Sequence, residues 1–349
     1  MSELENQRGP GKEISYPRLA GLALLFFLIA AGLGYPALTR YDPPQVPSLS
    51  DVRSYVALVM GSEPAGPPHL RFRKLVPWIA APFYHLAKGH VGSWDPAIFG
   101  LLVADSLFVA GTALLIIVLA TKVFSYPVSL LAAMLYLVNF AVPNLRLVGL
   151  VDAGEGFFLL ALLWALSEDL FWILPAIGIL GALTKESFIP FSIVFETVWW
   201  IVVRRQLDSP LQKLMWIVVS WLAALLAFFG VQWSVDQRFV APWQFAAGLH
   251  RNRNYLGHLA SSLWDREFWY IFLWLLPLGI PHLRRFPKSW LWPLGATSLT
   301  AFALDAYYAG APGTIGRALF SIAGPVLALS AASFLLTSPQ GISPKSLQD

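Results

Sequence analysis

The chain has 349 residues, of which 57% are hydrophobic and only 13% charged, about half the charged share of an ordinary soluble domain. A mean hydropathy of +0.61 and repeated apolar runs of roughly 18 residues or more exclude a water-soluble fold and imply a polytopic membrane protein. The net charge of +4 is small and its basic residues sit beside helix ends, which speaks against a nucleic-acid partner; the absence of cysteine removes disulfides, thiol nucleophiles and cysteine metal sites.

In chain order, residues 1–17 form a polar tail containing Gly9-Pro10-Gly11. Apolar patterning then predicts helices at 18–38, 96–121, 126–143, 154–167, 170–185, 187–203, 212–235, 267–283, 289–308 and 317–337. That is an all-α transmembrane bundle of about ten spans, covering 18–337 and followed by a second short tail at 338–349. The first helix follows Lys12 and Arg18 and lacks a small-x-small cleavage site, so it reads as retained. The segments 154–167 and 170–185 fall short of the ~20 residues that cross a hydrocarbon core, which leaves tilted, re-entrant and hairpin arrangements open.

Lys122, Arg204, Arg205, Lys213, Arg284, Arg285, Lys288 and Lys345 would sit on one side of the membrane. The positive-inside rule then places both termini in the cytoplasm. Two long outer loops result, 39–95 and 236–266, with a short one at 144–153. Within the first, 52–60 and 74–86 are apolar enough to lie flat as interfacial helices, with Trp78, Phe83 and Tyr84 at the headgroups. Arg71, Arg73, Arg146, Arg251 and Arg253 fall on the outer side, against the rule, and so call for a functional account.

The residues able to carry chemistry collect in these loops. Asp51 and Tyr55 are four apart and share a face if the segment is helical. A carboxylate partly desolvated at a membrane surface is a better base toward a hydroxyl. Ser48-Leu-Ser50-Asp51 is also good capping sequence, and capping is the stronger local expectation. Arg73 beside Lys74 suits a phosphate, through a guanidinium fork plus an added charge, but a pair that snorkels to any anionic headgroup has the same spacing. Asp152 and Glu155, three apart at a helix start, face the same way. They could share a proton, a cation or an arginine, or simply complement the helix dipole.

Thr184-Lys185-Glu186 interrupts apolar sequence, as an ion pair facing a cavity or one on an interfacial turn would. Asp105 and Glu196 lie inside predicted helices and are expected to face the bundle and hydrogen-bond there. His250-Arg251-Asn252-Arg253-Asn254-Tyr255 with His258 makes the second outer loop basic, and Asp305 and Arg317 flank the outer turn 307–316. No zinc, Walker, Rossmann or GxSxG motif is present, which disfavours a nucleotide-driven pump.

Together these pieces resemble the GT-C class of membrane glycosyltransferases, which includes the polyprenyl-phosphate-mannose protein transferases and lipid A aminoarabinose transferases. The matching elements are Asp51 with Tyr55, the R-x-L-x-P turn (Arg73, Leu75, Pro77), the acidic loop at Asp152, GALTKES at 181–187 and GRALFSIAGP at 316–325. The resemblance implies a polyprenyl-phosphate-linked sugar donor in a groove between helices. It further implies inverting transfer to a hydroxyl of a glycan, lipid or protein acceptor at the outer face of a cell membrane. On that template Asp51 is the catalytic base, with Asp152 or Glu155 in support. Tyr55, Arg73, Lys74, Lys185, Glu186, Arg251, Arg253 and Arg317 are the substrate-binding residues, and a divalent cation is the one cofactor to consider. Many members carry paired or DxD acids, whereas Asp42 and Asp51 stand nine apart here. Two other readings share the architecture: a transporter or lipid flippase with Asp105, Lys185, Glu186 and Glu196 along its path, and a non-catalytic membrane subunit.

Overall fold

The computed structural model describes residues 15–39, 49–64, 66–90, 92–240, 254–308 and 314–336, and every regular element among them is helical. Apart from the four-residue helical turn Pro36–Thr39, the helices are α1 (Tyr16–Gly34), α2 (Val52–Val59), α3 (Leu75–Ala87), α4 (Pro96–Ala120), α5 (Tyr126–Val138), α6 (Asp152–Ser167), α7 (Leu174–Thr184) and α8 (Phe188–Val203). They continue with α9 (Pro210–Asp236), α10 (Tyr255–Leu263), α11 (Arg266–Phe272), α12 (Leu275–Gly279), α13 (Lys288–Tyr308) and α14 (Thr314–Leu336). Four of them, α1, α4, α9 and α14, are long and apolar enough to cross a membrane. The protein is a multi-pass membrane protein.

Burial sorts these four. In α4 and α14, 67% and 78% of the apolar window is buried, against 17% in α1 and 22% in α9. A helix apolar all round belongs inside a bundle or against lipid; α4 and α14 take the first place, α1 and α9 mostly the second. Around α4 pack α1, α3, α5 and α6, while α14 packs against α5, α6, α12 and α13. Tyr136 of α5 stacks on Phe320 of α14 with centroids 5.6 Å apart, tying the two groups together. α4 starts cleanly because Pro96 fits the first turn and the Asp95 carboxylate accepts from the backbone N–H of Ala97 (2.7 Å) and Ile98 (3.2 Å).

Two expectations change. The helix expected at 126–143 ends at Val138, because Asn139 turns extended. Its side chain accepts from Ala141 N (2.9 Å) and donates to Ile271 O (2.9 Å), and a separate π turn, Val142–Arg146, follows. The single helix expected at 267–283 is broken into α11, α12 and the 3-10 turn Ile280–Arg285. Pro277 and Pro281 each remove a backbone donor, and Ser330 of α14 donates to the carbonyl of Gly279 at 2.5 Å.

The two segments expected to lie flat at the interface, 52–60 and 74–86, are both helical, as α2 and α3, and both dock on the bundle. Val52, Ser54, Tyr55 and Val59 of α2 are buried against α3 and α4. α3 runs so close along α4 that a Cβ on Gly100 would sit 2.6 Å from the carbonyl oxygen of Ala80. Tyr84 is buried in that contact, while Trp78 and Leu86 face outward. This docking positions the first-loop residues over the ends of α6 and α7.

Candidate functional site

Two charged groups meet at the bundle end where α6, α8 and α14 begin. The first is centred on Arg73, in the link between the 3-10 turn Pro68–Phe72 and α3. Its Nε and Nη2 donate to Glu186 Oε2 (2.8 Å) and Oε1 (2.5 Å), a two-bond fork, and Nη1 donates to the Tyr55 hydroxyl at 2.7 Å. Asp51 Oδ2 stands 3.8 Å from the same Nη1. Tyr55 and Asp51 therefore share a face as their spacing predicts. Asp51 makes no capping hydrogen bond to α2, so capping, the stronger local expectation, fails. Its side chain is 35% exposed, against 9% for Arg73.

The second group is centred on Lys185. Its Nζ lies 2.6 Å from Asp152 Oδ1 and 3.0 Å from Glu155 Oε2, so the i,i+3 pair on α6 closes on one cation. Ser187 Oγ donates to Glu155 Oε1 at 2.5 Å, and Arg317 Nη1 of α14 stands 3.6 Å from Asp152 Oδ2. Arg146 on the π turn donates to the Asp152 carbonyl (3.0 Å) and to Ser321 Oγ (2.8 Å), with its guanidinium 4.9 Å over the Phe320 ring.

One backbone residue joins the groups. Lys185 is extended, with φ −160° and ψ 136°, and along extended chain successive side chains point to opposite sides. Lys185 thus reaches α6 while Glu186 reaches Arg73. A second device sets the height of α6: buried Asp105 of α4 accepts at Oδ2 from the N–H of Gly149 (3.1 Å). Gly149 has φ +93°, a conformation natural to glycine, three residues before Asp152.

Electrostatics follow burial and pairing. Burial alone would raise Glu186, but the charge and hydrogen bonds of Arg73 outweigh it and hold the carboxyl at about 2. Burial pushes the Tyr55 hydroxyl up, which keeps it neutral. Burial and then the Arg73 charge push the His69 imidazole down, against an opposing pull from Glu186 and Asp51.

A pH prediction follows from Glu186. Its folded value of about 2 lies below the ordinary 4.5, so it contributes stability that is present above pH 4.5 and lost as pH falls toward 2. Thermal unfolding in detergent should show the wild type losing stability between about pH 4.5 and 3, with Glu186→Gln flatter over that window. Parallel curves for the two proteins would count against the pairing.

The structure brings together Asp51, Tyr55, Arg73, Asp152, Glu155, Lys185, Glu186 and Arg317. The Arg73-Lys74 phosphate pair does not form as a unit. Arg73 turns inward, while Lys74, lowered by burial, has Arg71 as its neighbouring charge, and Arg71 pairs with Asp236 of α9 at 2.7 Å. Arg251 and Arg253, with Asp42, lie outside the described residues. Glu196 faces the bundle as expected, accepting from Trp221 Nε1 at 2.5 Å. Among the described residues no hydrogen bond or ion pair joins it to Asp105 or to Lys185 and Glu186, as a translocation path would suggest.

Sequence reasoning assigned no role to His69, Arg146 or Ser187. The signal for Arg146 was its place against the positive-inside rule; for Ser187 it was its place at the end of GALTKES, with its bond to Glu155 set by packing. Among the described residues no group of three or more His, Asp or Glu could hold a metal ion.

The helix arrangement is that of a GT-C-like membrane fold. Among solved structures the chain is similar to the crystal structure of ArnT from Cupriavidus metallidurans bound to undecaprenyl phosphate, with a TM-score of 0.57 and 16% sequence identity. The match covers 94% of this chain and 60% of that one, so the chain spans about three-fifths of the protein it resembles. No family model matches the sequence, and no curated protein matches it either.

Proposed function

We propose that the protein is a membrane glycosyltransferase that moves a sugar from a polyprenyl-phosphate donor to an acceptor hydroxyl at the extracytoplasmic face. In this reading the shorter apolar helices complete a set of about ten spans, and both termini are cytoplasmic. The observation that carries the proposal is the contrast at Asp51. It is the carboxylate of the cluster with the most exposed side chain, it makes no hydrogen bond to α2, and it is held 3.8 Å from a guanidinium fixed by three other hydrogen bonds. Such a group can accept a proton, whereas Asp152 and Glu155 are held by Lys185.

In the step proposed, Asp51 takes the proton of the acceptor hydroxyl as its oxygen bonds to the anomeric carbon. The bond from that carbon to the phosphate oxygen breaks, the electron pair leaves with the phosphate, and the configuration inverts. Arg73 and Tyr55 orient Asp51, and Glu186 fixes Arg73. Asp152 and Glu155 support the site by holding Lys185, and Arg317 adds positive potential toward the departing phosphate. Lys74 has no carboxylate partner among the described residues and is assigned to that phosphate. A divalent cation is not needed for any of these steps.

Binding of undecaprenyl phosphate to the purified protein tests the donor class. Wild type should bind it, and Lys74→Gln should weaken binding about tenfold, the size of one charge-assisted contact, with the thermal midpoint unchanged. A wild type that binds no polyprenyl phosphate would remove the donor assignment, and equal binding by Lys74→Gln would remove Lys74.

A further inference from the structure

A second polar cluster lies beside the charged site. On α10, Tyr255, His258 and Ser262 are spaced three and four apart and so share one face. α10 packs against α13 and α14, where Asp305 and Tyr307 occupy the last turn of α13. Asp305 is buried, with its side chain 5% exposed. Thr314 Oγ1 donates to its Oδ1 at 3.2 Å. Its Oδ2 makes no hydrogen bond among the described residues, the His258 Nε2 standing 3.7 Å away. Tyr255 and Tyr307 lie nearly parallel, at 5° with centroids 6.1 Å apart, and are 41% and 38% exposed. Thr314 is one helical turn before Arg317, so the cluster adjoins the charged site.

A nucleophilic relay does not fit. Ser262 Oγ is 3.5 Å from His258 Nε2, the same nitrogen that faces Asp305, whereas a serine relay needs the two ring nitrogens to face acid and nucleophile separately. What remains is a recognition surface. A buried carboxylate oxygen with unfilled acceptor capacity beside an imidazole can take a hydroxyl that donates to one and accepts from the other. Exposed tyrosine rings offer an apolar face with a polar tip. A hydroxyl-rich ring with an apolar C–H face matches both.

We propose that Asp305, His258, Tyr255 and Tyr307 form a subsite for a pyranose ring. It rests on the transferase reading for its meaning, and the ring can belong to the donor or to a glycan acceptor. The test uses the full chain in a sugar-free amphipol, with saturation-transfer NMR of methyl glucoside and methyl glucosaminide, and undecaprenyl phosphate binding measured separately. Wild type should bind at least one glycoside. Asp305→Asn and the partly exposed Tyr307→Leu should each weaken it about tenfold, as loss of a charged hydrogen bond or an apolar face does, with undecaprenyl phosphate binding unchanged. Displacement of the glycoside by undecaprenyl-phosphate glucose assigns the subsite to the donor sugar, and simultaneous binding assigns it to the acceptor. A wild type that binds neither glycoside, or variants that bind them as wild type does, overturns the subsite. Loss of undecaprenyl phosphate binding alone would instead count against the donor reading.

Discussion

Asp51→Asn is expected to lower sugar release from a polyprenyl-phosphate-linked donor by about 10²–10⁴-fold, the usual contribution of a positioned general base. The substitution keeps the shape of the side chain and removes only its ability to take a proton. Stability should change little, because the carboxylate is 35% exposed and 3.8 Å from Arg73, and exposed pairs of this kind contribute roughly 0–1 kcal/mol. Arg73 keeps its bonds to Glu186 and Tyr55 in the variant. Turnover of the lipid-linked donor, paired with a thermal melt, therefore separates catalysis from folding. An Asp51→Asn protein with wild-type turnover would take the base role away from this residue.

The opposite pattern is expected at Lys185. Replacing it with Met leaves Asp152 and Glu155, with side chains 5% and 0% exposed, facing each other with Arg317 as the nearest remaining cation at 3.6 Å from Asp152. Removing one partner of a buried ion pair costs about 3–5 kcal/mol, because the surviving charge stays desolvated. Lys185→Met should accordingly fold poorly or unfold at much lower denaturant in detergent. The triple variant Asp152→Asn, Glu155→Gln, Lys185→Met removes the stranded charges together and should recover much of the loss, since replacing a whole buried pair is often close to neutral. Equal stability of the single variant and the wild type would show that Lys185 does not hold this cluster.

These two outcomes divide residues that look alike in one dimension. Three acids, Asp51, Asp152 and Glu155, stand near predicted helix starts, and local spacing treats them in the same way. Packing separates them: α2 docks on α3 and α4 and leaves Asp51 partly open, whereas α6 is enclosed by α4, α7 and α14. Arg73 and Lys74 are neighbours in the chain, yet only Arg73 turns inward to Glu186. The breaks at Asn139 and at 273–285 were likewise hidden behind continuous apolar runs. A run reports burial, while the Asn139 bond to Ile271 and the Ser330 bond to Gly279 come from distant segments.

By itself the sequence determined the membrane class, the helical character of nearly every segment, and the local faces shared by Asp51 with Tyr55 and by Asp152 with Glu155. Those properties depend on hydropathy and on a period of 3.6 residues, which act over a few turns. Only the tertiary structure decided that Arg73 meets Glu186 across 113 positions and that Lys185 closes on α6 rather than on its neighbour. The physical reason is that a charge leaving water takes whichever opposite charge and hydrogen bonds the packed helices bring within reach. That choice depends on how the helices pack around α4 and α14, which no local pattern encodes.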